Sequence, residues 1–136
     1  MARVSVDKTW LVQDPSEDLD ASIDLAIQEY GMIATRAGRK VEMRGGSQLK
    51  MRILGAWFTK DSVLPRGGTL ERITEPDHSS TERITLHLED RMGFGLMDSK
   101  IRQKYDRLFQ SIACRIEAVI RGNTSDTRDA PTPEIT

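Results

Sequence analysis

Seven apolar residues near the C-terminal end constrain the fold most. Met97, Ile101, Tyr105, Leu108, Ile112, Ile116 and Val119 recur at steps of three or four, with a mean of about 3.7, the period of one helix face. The spacing predicts a helix over 98–121. Asp98 or Ser99 would cap its start, and Gly122-Asn123 would end it. Such a helix is about 36 Å long. Its single apolar stripe must be covered by an element of similar extent, and the rest of the chain supplies strands.

Residues 4–12 alternate, with Val4, Val6, Trp10 and Val12 on one face and Lys8 the exception. Residues 81–90 alternate too, with Ile84, Leu86 and Leu88 inward and Arg83, Thr85, His87 and Glu89 outward. Period 2 with β-branched residues predicts strands with one buried face. Ile33 to Arg36 and Lys40 to Arg44 flank Ala37-Gly38-Arg39 as a hairpin. A strand is expected over 48–58, with Leu49, Met51, Ile53 and Trp57 on one face, and a weaker one over 69–75. Residues 59–68 and 76–80 read as a loop and a turn. Between the first two strands, Asp14-Pro15-Ser16-Glu17 resembles a helix start, and Leu19, Ile23, Ala26, Ile27 and Tyr30 follow at helical spacing. The spacing predicts a helix over 15–30, stopped by Gly31.

The expected fold class is therefore α+β: a curved antiparallel sheet of about five strands packed on a long C-terminal helix, in the order β-α-β(4–5)-α. With 136 residues, one domain over 1–122 is expected. Residues 123–136 are polar and proline-bearing, and read as a disordered tail.

Composition narrows the function classes. No apolar run is long enough to cross a membrane, and the first residues lack a signal-peptide core, so the expected location is cytoplasmic with no membrane partner. One Cys and two His offer no zinc cage and no intramolecular disulfide. Neither a metal nor a cofactor is expected. The net charge of −1 gives no overall pull toward nucleic acid.

The charges are nonetheless segregated. Residues 14–30 carry acids and no base, whereas Arg36, Arg39, Lys40, Arg44, Lys50 and Arg52 stand against Glu42 alone. Arg44, Lys50 and Arg52 fit an outer sheet face that could meet a protein or nucleic-acid partner. A solvated face explains them as well, and no aromatic in the patch offers a base a stacking platform.

Other candidates are weaker. Gly93-Phe94-Gly95-Leu96-Met97-Asp98 has two glycines before a helix, but Asp98 would repel an anion there. His87 and Glu89 share an outer strand face without a nucleophile. Cys114 lies off the apolar stripe with no local histidine. No nucleophile, base and orienter assemble, so catalysis is not expected.

The strand VSVDKTWLV, the helix PSEDLDASIDLAIQEY that follows at once, and the closing LEDRMGFGLMDSKIRQKYDRLFQSIACRIEAVI resemble, in element order, the helix-grip fold of START and polyketide-cyclase-like domains. The resemblance implies a pocket for an apolar, lipid-like or polycyclic small molecule between sheet and long helix. Its expected wall is Trp10, Met51, Ile53, Trp57, Ile101 and Tyr105, with Phe94 and Met97 as a lid. The expected mouth lies at 59–68 and 91–97, where glycines allow movement. The group shares no catalytic motif, so no catalytic residue follows from it.

Overall fold

The computed structural model describes residues 4–46, 64–76, 78–91 and 99–130. The elements among them are β1 (Ser5–Gln13), α1 (Leu19–Glu29), β2 (Met32–Ala37), β3 (Lys40–Gly45), β4 (Arg66–Glu75), β5 (His78–Asp90), α2 (Ser99–Gly122) and β6 (Asp126–Ala130). The described strands form one antiparallel sheet in the order β2-β3-β4-β5-β1-β6. The α+β architecture expected from the sequence, a curved sheet against a long C-terminal helix, is the one observed. The expected strand over 48–58 lies outside the described residues.

Alternation decides which sheet face is buried. Val6, Trp10 and Val12 of β1, Val41 and Met43 of β3, Leu70 of β4 and Ile84, Leu86 and Leu88 of β5 point inward. They join one core with Leu19, Ile23 and Ile27 of α1 and Ile101, Tyr105, Leu108, Phe109, Ile112, Ile116 and Ile120 of α2. The predicted stripe on α2 holds, with one shift at its end: Ile120 is buried and Val119 only partly so.

Several boundaries differ from expectation. The first helix begins at Leu19, not at residue 15. Asp14, in a left-handed conformation (φ 48°) with its N–H on the Ser80 carbonyl, lies four residues before the N-cap Asp18 and so does not cap the helix. Ser16 takes over locally, its Oγ accepting from the Asp18 N–H at 3.0 Å. Gly67 and Gly68, expected in a mobile loop, are strand residues of β4 paired with Arg44 and Met43. A Cβ on Gly68 would fall against the His87 carbonyl oxygen, so close strand approach explains that glycine. Residues 78–80, expected in a turn, begin β5. The tail is ordered over Asp126–Ala130, where β6 pairs with β1. Its backbone hydrogen bonds, not any apolar pattern, place it there.

Candidate functional site

Of the residues expected to wall a ligand pocket, Trp10, Ile101 and Tyr105 are described, and all three are buried in the common core. Met51, Ile53, Trp57, Phe94 and Met97 lie outside the described residues. A buried tryptophan needs an acceptor for its indole N–H, and Trp10 Nε1 donates to Glu117 Oε1 of α2 at 2.9 Å. The Tyr105 ring lies against Phe109, with centroids 5.5 Å apart and planes tilted by 49°. Its hydroxyl donates to the Pro65 carbonyl at 2.6 Å. The two large aromatics of this layer thus spend their polar atoms internally.

Tyr105 stands beside a buried polar row at one end of the sheet. Met32, Gly45, Arg66 and Asp90 follow one another across β2, β3, β4 and β5 on the inner face. Arg66 and Asp90 are both buried. Asp90 Oδ2 accepts from the Val4 N–H at 2.7 Å, while the Asp90 N–H donates to the Val4 carbonyl at 3.0 Å. The Arg66 guanidinium donates to the carbonyls of Leu64 (3.0 Å) and Tyr30. Gly45 makes room for it: a Cβ there would lie 3.3 Å from Arg66 Cζ. Burial pushes the Tyr105 phenol well above its ordinary pKa; the Asp90 charge adds to this and the Arg66 charge opposes it. The phenol is therefore a permanent hydrogen-bond donor at neutral pH. A cleft of about 530 Å³ opens beside Arg66, between Tyr30 of the α1 end and Arg107 and Ser111 of α2.

The segregated charges are used inside the fold. Arg36 reaches Asp20 (3.3 Å) and Asp24 (2.6 Å) on α1. Arg72 pairs with Asp20 at 2.7 Å and with Glu82, which also takes Arg39. Burial works against the Arg72 charge, but hydrogen bonds to Glu82 and Asp20 outweigh it and hold its pKa above the ordinary arginine value. The acidic run of α1 is thus the counter-surface of the basic strands. Arg36 and Arg39 are not part of an open basic face. Of the three cations expected outward, Arg44 is on the outer face, and Lys50 and Arg52 lie outside the described residues.

On that outer face, His87 Nδ1 lies 2.7 Å from Asp7 Oδ1, and Nε2 lies 3.6 Å from Glu89 Oε2. This completes the His87–Glu89 pair seen in the sequence with a second acid from β1. No group of three or more His, Cys, Asp or Glu able to hold a metal occurs among the described residues. Cys114 is exposed.

Sequence reasoning missed Arg66, Glu82 and Asp90. For the two acids a signal existed, since 82 and 90 share the alternation phase of Ile84, Leu86 and Leu88. Arg66 carried none, lying where proline and glycines read as loop. No protein-family model matches this chain, and no curated protein is significantly similar to it.

Proposed function

We propose that this chain is a non-enzymatic binding domain of helix-grip type that takes an apolar small molecule between the sheet and α2, at the end where α2 begins. The observation that carries the reading is the cleft of about 530 Å³ beside buried Arg66, lined by Arg107, Leu108 and Ser111 of α2 and by Tyr30. The buried row of Arg66, Asp90 and Tyr105 adds a few fixed polar groups to an apolar layer, which is how small-molecule pockets are built.

Titration with a neutral fluorophore, N-phenyl-1-naphthylamine, tests this. Binding should raise its emission and raise the melting temperature of the protein. Ile101→Trp, which fills the expected space, should weaken binding at least tenfold. A folded protein that binds no member of a lipid-like and polycyclic panel would overturn the reading.

A further inference from the structure

We propose that the outer face of the sheet, opposite α1 and α2, carries a second site: a groove in which Arg44 and Arg91 hold the phosphate or carboxylate of a small organic anion.

The geometry starts from a missing side chain. Arg44, Gly67 and Glu89 follow one another across β3, β4 and β5 in one row of the outer face. The glycine leaves a slot between the two charged neighbours, and Arg91 fills it. A Cβ on Gly67 would lie 2.8 Å from Arg91 Nε and 3.1 Å from its Cζ and Nη2. Arg91 is held there from two sides, by its N–H to the Pro65 carbonyl (2.8 Å) and by Nη2 against Glu89 (3.0 Å). A second guanidinium is thereby fixed beside the strand position that faces Arg44. Arg44 itself has no carboxylate within 4 Å among the described residues. Glu89 offsets the charge of Arg91.

Both arginines line a cleft of about 710 Å³, within the size range of small-molecule sites. Thr35 and Thr69 offer hydroxyls along it, and Ile33, 75% exposed, gives it an apolar patch. A planar guanidinium pair suits phosphate or carboxylate, which it binds through paired N–H donors. Glu42 lines the same cleft, one cross-strand row from Arg44 and opposite Thr69. Its charge opposes a polyanion running along the face, so the site fits a short anion with an apolar body over Ile33, not a nucleic-acid strand.

The test uses phenyl phosphate, benzoate and inorganic phosphate in NMR titrations of the full chain. Phenyl phosphate or benzoate should move the Gly67 and Thr69 amides, and whichever binds tighter identifies the head group. The phenyl ester should bind at least tenfold tighter than inorganic phosphate, and Ile33→Ser should remove that advantage. Arg44→Gln should weaken binding at least tenfold, and Arg44→Lys should restore only part of it. Gly67→Ala displaces a flexible side chain and not backbone, so it should leave the fold intact and weaken binding. Neutral fluorophore binding at the sheet–helix layer should be unchanged in all of these, which separates the two sites. Wild-type affinity in a folded Arg44→Gln protein, or no binding of any probe at 10 mM (roughly the −3 kcal/mol level), would overturn the proposal.

Discussion

Trp10 of the first strand donates its indole N–H to Glu117 of the last helix, 2.9 Å away. The bond joins sheet to helix, and its acceptor is a carboxyl oxygen at the edge of the core. Removing the acceptor leaves a buried donor without a partner, which costs more than the bond's own net worth. Glu117→Ala should lose about 1–3 kcal/mol in urea unfolding, whereas Glu117→Gln, which keeps an acceptor oxygen, should lose about half as much or less. Equal losses would show that the carboxylate charge, and not the acceptor, matters.

The two faces of α2 should respond very differently to truncation. Ile112 is buried in the core, and Ile112→Ala should cost about 2–5 kcal/mol. Arg115 is solvent-facing and pairs with Glu29 at 3.1 Å, so Arg115→Ala should change stability far less than Ile112→Ala. Chemical denaturation of both variants checks the contrast.

Glycine positions separate strain from steric exclusion. Gly38 has φ 63° with open space around it, so Gly38→Ala should cost only the left-handed strain of about 1–2 kcal/mol. A Cβ on Gly68 meets backbone of β5, and Gly68→Ala should cost about 3 kcal/mol, the upper end for overpacking. Melting temperatures rank the two.

Alkaline pH should expose the buried phenol. The Tyr105 pKa is raised in the folded state, so the folded state holds its proton more tightly than the unfolded chain does. That stabilisation is complete below the unfolded pKa of about 10 and is lost as pH rises beyond it. Wild-type stability should fall above about pH 10, and Tyr105→Phe should show a flatter profile there, from a neutral-pH stability lower by about 1 kcal/mol for the lost Pro65 bond. Parallel pH profiles would assign the alkaline loss to other groups.

What the sequence disclosed followed from local periodicity. The stripe from Ile101 to Ile116, the inward set Ile84, Leu86 and Leu88, and the hairpin around Gly38 each repeat within a few residues, and each appears in the fold. What it withheld depended on partners far along the chain. Asp14 reads as a cap, but its N–H bond to the Ser80 carbonyl ties it to β5 and the helix begins at Leu19. Arg36 and Arg39 read as an open basic surface until Asp20, Asp24 and Glu82 are brought against them. Arg66 reads as loop until Gly45 clears a place for its guanidinium. Among the expected ligand residues, the inward placement of Trp10, Ile101 and Tyr105 was legible, while Glu117 and Pro65, the acceptors for Trp10 and Tyr105, were not.

The strand order carries a consequence for synthesis. β1 is flanked by β5 and by β6, both of which follow it far along the chain, so during synthesis it finds neither neighbour until those strands have emerged. The hairpin of β2 and β3 can close early, since its strands are adjacent in sequence. Residues 5–13, with Trp10 among them, must wait for chain beyond residue 78, and for 126–130 to cover the remaining edge. Closing so long a loop slows folding, and an uncovered apolar strand invites pairing with other chains. A protein ending at Ser125 should therefore refold with more aggregation than the full chain, and hydrogen exchange should find its β1 amides at Leu11 and Gln13 less protected than in the full chain.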